Sequence, residues 1–220
     1  MTAFFSALPL TSRFVSFEGI DGAGKTTHIY AAADFLRQQG AEVILTREPG
    51  GTPLGEKLRE LLLQDAMTPE TEALLMYAAR QEHLKQVILP ALTAGQWVLT
   101  DRFNDASFAY QGGGRGLATA QLTWLDAWIV AGHQPACTFL FDLPTSLAAE
   151  RIERSDRAAR DRFELEQSTF HERVRQAYRT RAQENPARFV TIDASADPTE
   201  VGATILGAIK AHWQKQTLAS

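Results

Sequence analysis

Apolar runs of five or six residues recur along the chain, at Phe14–Glu18, Glu42–Thr46, Trp97–Asp101, Cys137–Asp142 and Phe189–Asp193. Runs this short, bounded by polar or glycine-containing segments, read as strands. Several end on an acidic or polar residue, as strands do when their carboxyl ends face a ligand crevice. Between them, helix-permissive stretches predict helices over 27–39, 54–64, 70–94, 119–132, 145–154, 163–184 and 197–214. Asp197 followed by Pro198 marks the start of the last one, since a proline at the first helical position sacrifices no hydrogen bond. Alternation of β and α elements with few hairpin signals predicts a parallel sheet covered by helices on both faces, an α/β fold. The chain shows no internal repeat or low-complexity linker. It is expected to form one domain over residues 13–216, preceded by an N-terminal extension at 1–12.

Composition narrows the class without changing the fold. A chain of 220 residues with 45% hydrophobic and 22% charged residues can bury a substantial core in one domain. A net charge of −4 argues against a sequence-independent nucleic-acid binder, so no nucleic-acid partner is expected. No apolar stretch reaches the length of a membrane span. The opening MTAFFSALPLTSR lacks a basic segment before its apolar patch, which fits an extension better than a signal peptide. These features place the protein in the cytoplasm with no membrane partner. Cys137, the single cysteine, lies in the apolar run ACTFLFDL and is expected to be buried and inert. The histidines show no metal-ligand spacing.

Chemistry enters just after the first strand. Gly19, Ile20, Asp21, Gly22, Ala23, Gly24, Lys25 and Thr26 fit G-x-x-x-x-G-K-[ST] without a gap, and Thr27 follows. Glycines let the backbone N–H groups approach phosphate oxygens, Lys25 can reach the β- and γ-phosphates, and the Thr26 hydroxyl can ligate Mg²⁺. The strand before and helix after this loop are the required context for a nucleoside triphosphate site. Asp101 ends the third apolar strand, where it could hold Mg²⁺ through water. Arg102 follows directly and suits bidentate recognition of a phosphate; a local salt bridge is the alternative for this Asp-Arg pair. Arg47 stands at the same edge of the sheet. The segment from Ser107 to Gly116 adds Tyr110, Gln111 and a run of three glycines, expected to be a mobile or closely approached loop beside a ligand.

The combination G-I-D-G-A-G-K-T-T, T-R-E-P-G-G-T-P-L-G, L-L-M-Y-A-A-R, T-D-R-F-N-D-A-S-F-A-Y-Q-G-G-G-R-G and D-R-F-E resembles the bacterial thymidylate kinases, in order, over nearly the whole chain. That resemblance implies a three-layer P-loop NTPase fold, with a five-stranded parallel sheet flanked by helices and a short lid at about 151–162. It implies Mg²⁺-dependent transfer of the γ-phosphoryl group of ATP to dTMP in dTTP biosynthesis, by a homodimer. By position, Arg102 and Arg47 would contact the dTMP phosphate, and Asp21 would sit near the sugar 3′-hydroxyl and the metal's water shell. Arg80 would bond a thymine carbonyl, Ser107 and Gln111 would read the other polar edge, and Tyr110 would crowd the 2′ position. Many members carry a phenylalanine four residues before the base-reading arginine; here Met76 stands there, with Tyr77 beside it. Met76 packing on the base, Tyr77 stacking, and simple helix core all remain open.

Arg151, Arg154, Arg157, Arg160 and Arg162 are spaced by about three residues, so in one helix they would spiral rather than share a face. A break near 155–160 would leave an arginine-bearing loop resembling the family's lid. The phosphate loop has no basic residue besides Lys25, and members of that kind supply a catalytic arginine from the lid. Arg157 is the best match, Arg160 is the reserve, and Arg151 would lie against the adenine. The resemblance thus assigns catalysis to Lys25, Arg102, Arg157 and Asp21. A kinase acting on dUMP or another nucleoside monophosphate is the nearest rival. A GTP-dependent switch is disfavoured because no N-K-x-D segment occurs, and a protein using nucleotide only to regulate a partner is the third reading.

Overall fold

The computed structural model describes residues 9–154 and 161–218. A parallel sheet of five strands has the order β2-β3-β1-β4-β5, with β1 (Phe14–Glu18) at its centre. β3 (Trp97–Asp101) and β4 (Cys137–Asp142) flank it, and β2 (Val43–Arg47) and β5 (Phe189–Asp193) form the edges. Every β1 residue is buried, because helices cover both faces. Val15, Phe17, Leu99 and Phe139 pack on one side with the helices α1 (Lys25–Gln38) and α9 (Pro198–Leu218), whereas α8 (Ser168–Glu184) lies across the other face, where its Tyr178 hydroxyl donates to Glu18 Oε2. Phe14, Val98, Phe103 and Tyr77 pack on the other, against α3 (Pro69–His83) and α6 (Thr119–Ile129). Truncating a residue such as Phe14 to alanine should cost about 3–5 kcal/mol. No helix among the described residues is long and apolar enough to cross a membrane.

Register levels the carboxyl ends. Phe17 and Arg47 both pair with Asp101, so Glu18, Arg47 and Asp101 end beside one another. The crossover from β1 to β2 runs to one side of β1 and that from β3 to β4 to the other, which opens a crevice above these ends. The expected strands all form, with β2 one residue later than predicted.

Helix starts follow local chemistry. Thr52 and Thr68 accept from the backbone N–H groups of Gly55 and Thr71, with Pro53 and Pro69 next in line, to begin α2 (Pro53–Gln64) and α3. Asp197 caps α9 by accepting from Thr199 N–H at 2.8 Å, as its sequence position predicted. The helix predicted over 70–94 is instead α3, a π-helical segment Leu84–Ile88 and α4 (Leu89–Thr93). Pro90 has no N–H to return to the preceding turn, and the chain widens there.

Two further expectations need correction. The glycine run is not a loop facing a ligand: after α5 (Asn104–Ser107), residues Phe108–Gly114 form a π-helical segment against α8. A Cβ on Gly113 would meet the Ala177 Cβ at 2.5 Å and Arg173 O at 2.9 Å, so helix packing is what demands glycine there. The helix predicted from 163 starts at Ser168. Before it, Asp161 Oδ1 accepts from Phe163 N at 2.9 Å and Glu164 N at 3.0 Å, closing a turn instead. α7 (Thr145–Glu153) leads toward the predicted lid, whose Arg157 and Arg160 lie outside the described residues.

Candidate active site

β1 delivers the chain into Gly19–Gly24, a loop that ends on Gly24 at φ +88°, a left-handed conformation that favours glycine. Gly22 at φ +79° is also crowded, since a Cβ there would meet Ala148 O at 2.7 Å. Lys25 is the first residue of α1, with Thr26 and Thr27 in its first turn. The free N–H groups of a helix start make this end favourable for an anion. The buried Lys25 Nζ donates to Gly19 O at 3.2 Å and Ile20 O at 3.3 Å, and lies 3.9 Å from Asp101 Oδ1. Burial, and then the charge of Arg102, press the Lys25 pKa down. Anionic phosphate oxygens would offset both by favouring the charged ammonium.

Arg102 follows β3 with φ +69°, an uncommon conformation for a residue with a side chain. The turn is held by its N–H to Phe17 O at 2.9 Å and by Phe103 N–H to Glu18 Oε1 at 2.7 Å. It sends the guanidinium back over the phosphate loop, where Nη1 donates to Gly19 O at 2.7 Å and Nη2 to Asp21 Oδ1 at 2.8 Å. The Tyr110 ring lies beneath it at 4.9 Å, and the Tyr110 hydroxyl donates to Asp21 Oδ2 at 3.2 Å. Burial pushes Asp21 up, but Arg102 and Lys25 outweigh it and hold the carboxyl well below the usual carboxylate range. Asp21 is therefore a permanent anion that orients Arg102, and a poor proton acceptor.

Beyond Asp21 lies a half-open cavity lined by both polar and apolar side chains. Arg80, Ser107, Tyr110, Gln111 and Met76 all line it, alongside Phe103 and Phe163. Tyr77 does not; it is buried beneath Arg80, whose guanidinium sits 4.7 Å above its ring. Arg80 is fixed on three sides, through Nε to Glu48 Oε2 at 2.7 Å, Nη1 to Ser107 Oγ at 3.0 Å and Nη2 to Phe103 O at 3.0 Å. Glu48 in turn pairs with His83 Nδ1 at 2.9 Å, and His83 Nε2 meets Thr46 Oγ1 at 2.6 Å.

A second space, on the phosphate-loop side, is lined by Gly22, Gly24, Lys25, Thr26, Asp101 and Arg151. Asp21, Arg59, Arg102 and Asp161 border both spaces. Arg47 borders only the second, and is paired with Glu56 at 2.9 Å. Arg59 was missed by sequence reasoning. It comes from α2, donates to Pro49 O at 2.9 Å, and has no motif around it to announce a site. Glu48 was also missed, although it lies inside T-R-E-P-G-G; an acidic residue beside an arginine signals little until its partners are known.

Asp101 Oδ1 is buried without a hydrogen-bond partner, an acceptor suited to a metal-bound water. No group of three His, Cys, Asp or Glu able to hold an ion occurs among the described residues. Thr26 and Asp101 alone fit Mg²⁺ that keeps several waters and shares phosphate oxygens, as Mg²⁺ prefers.

The thymidylate kinase family model matches residues 17–205. The chain is 52% identical to a thymidylate kinase of Nitrosomonas eutropha over 206 residues, covering 93% of this chain and 95% of the relative. It is 53% identical to that of Cupriavidus necator over 194 residues, covering 87% and 95% respectively. The solved thymidylate kinase of Ehrlichia chaffeensis superposes with a TM-score of 0.73 at 32% identity, covering 90% of this chain and 97% of that one. Phosphate loop, arginine-guarded cavity and these likenesses agree: the chain belongs to the thymidylate kinase family.

Proposed function

We propose that this protein transfers the γ-phosphoryl group of ATP to dTMP, forming dTDP and ADP, in the dTTP biosynthesis of the cytoplasm. The observation that carries this reading is the shared border of the two spaces, formed by Asp21, Arg59, Arg102 and Asp161. A triphosphate on the Lys25 side and a monophosphate on the Arg80 side would bring their phosphates together at that border. Arg102 would exchange its bond to Gly19 O for the acceptor phosphate while Asp21 keeps its other arm oriented. Lys25 would leave the carbonyls of Gly19 and Ile20 for the transferring oxygens. An acceptor phosphate is already anionic near neutral pH, so no general base is needed; alignment and charge neutralisation suffice. Thr26 and Asp101 would hold Mg²⁺, and the ion would neutralise phosphate charge when bound with ATP. Arg157 from the lid completes the set of cations, and Arg151 borders the donor side.

On the acceptor side, Arg80, Ser107 and Gln111 would read the base, Met76 would pack on it, and Tyr110 would limit the sugar. Arg47 would act from the rim, with Arg59 nearer the phosphate. A homodimer is part of this reading. Trp124 and Trp128 of α6 are 63% and 65% exposed, with ring centroids 5.3 Å apart, and Leu74 of the neighbouring α3 is 57% exposed. A large apolar face of this kind suits a second copy of the chain. The test of the reaction is ADP release with ATP, Mg²⁺ and a panel of nucleoside monophosphates. Turnover on dTMP should exceed that on dUMP and all others; ATP hydrolysis indifferent to every monophosphate would refute it.

A further inference from the structure

Glu72 of α3 is fully buried, yet it does not border the base cavity. Its Oε2 pairs with two guanidiniums, Arg115 Nε at 3.2 Å and Arg162 Nη2 at 2.8 Å. Its Oε1 accepts from Gln111 Nε2 at 2.7 Å. A carboxylate in that company has only acceptor oxygens to offer, so it takes the nitrogen end of the Gln111 amide. The oxygen end is then the arm left for a ligand in the cavity. Arg80, across the same cavity, can only donate. The two side chains therefore present one acceptor and a set of donors, in a fixed arrangement.

That arrangement matches one edge of a 4-oxopyrimidine, whose N3–H donates and whose O4 accepts. It opposes a 4-aminopyrimidine, in which N3 accepts and the 4-amino group donates. A freely turning amide could present its N–H to the second kind of base. We propose that Glu72 is a positioning residue that sets base selectivity, by holding the Gln111 amide so that Oε1 accepts N3–H of a 4-oxopyrimidine. This rests on the reading of the cavity as a pyrimidine-nucleotide site. Glu72 is held from two places, by Arg115, which follows Gly114 and also pairs with Glu166, and by Arg162, which also donates to Leu62 O at 3.0 Å.

The test compares kcat/KM for dTMP and 5-methyl-dCMP, which differ only at the N3–C4 edge. Wild-type turnover of dTMP is measured first. Its absence would overturn the functional reading, and this proposal with it. With Glu72→Gln the neutral amide can accept or donate, and Gln111 is free to turn over. The preference for dTMP should fall at least tenfold, with the value for 5-methyl-dCMP rising in absolute terms and the change lying in KM. A merely structural role would lower both substrates together; that result, or an unchanged preference, overturns the proposal alone. Should the variant fail to fold, wild-type protein is titrated with 3-methyl-dTMP, which has no N3–H. Binding on the order of 100-fold weaker than dTMP is expected, because a site built around a hydrogen bond rejects an analogue that lacks it. Equal binding would overturn the proposal.

Discussion

Replacing Glu18 by glutamine should change how stability depends on pH, by an amount set by the residue's burial. Glu18 ends β1 with no exposed surface. Its Oε1 accepts from Phe103 N–H at 2.7 Å and its Oε2 from the Tyr178 hydroxyl at 2.8 Å. Burial, and then the nearby Asp105 charge, push its pKa from 4.5 to about 8, against the pull of Arg102 and of the two hydrogen bonds. The folded state thus holds this proton more tightly than the unfolded chain does. The resulting stability is complete below pH 4.5 and is lost as pH rises through about 8. A shift of that size corresponds to roughly 5 kcal/mol across the whole window. Glutamine cannot titrate, and the bonds it changes are lost equally at every pH. Urea unfolding of both proteins, followed by fluorescence and circular dichroism at intervals from about pH 4.5 to 8.5, isolates the effect because other titrating groups cancel. The glutamine variant should gain on wild type by several kcal/mol as pH rises. Parallel curves, or wild type gaining on the variant, would refute the reasoning.

Gly114→Ala would bring a Cβ to 2.9 Å from Val174 Cγ2 and against the Phe170 ring, and overpacking of this kind should cost about 1–3 kcal/mol in urea titrations. On the proposed role of Arg102 at the acceptor phosphate, Arg102→Ala should raise the dTMP dissociation constant by about 10- to 100-fold in calorimetry. Arg157→Ala should instead leave dTMP affinity within several-fold while turnover falls on the order of 10³-fold; near-normal turnover removes that arginine from catalysis. Chelation with EDTA should abolish turnover, and added Mg²⁺ should restore it, while dTMP binding measured without ATP persists.

The sheet was legible because its strands are apolar on both faces and bounded by polar residues, as Phe14–Glu18 shows. The phosphate loop was legible because backbone contact with phosphates leaves little freedom at Gly24 and Lys25. That Arg80, Ser107 and Gln111 would line one cavity was legible only through resemblance to a family, since no local spacing brings them together. Glycines at 112–114 misled because they signal a close approach without naming what approaches, and here it is α8. Glu48, Glu72 and Arg59 stayed hidden for a related reason. Each acts through partners far away in sequence, such as Arg80 for Glu48 and Gln111 for Glu72, and charged residues of this kind look like ordinary surface until the chain is folded.

In the proposed reaction two nucleotides meet across Arg102 and Asp21 and exchange one phosphoryl group directly. Phosphorus NMR of a mixture of ATP, dTMP, Mg²⁺ and the protein measures this without coupling enzymes. The dTMP signal should be replaced by the paired α and β signals of dTDP, with ADP formed in equal amount and no free phosphate. Loss of ATP to ADP and inorganic phosphate, with dTMP unchanged, would contradict it.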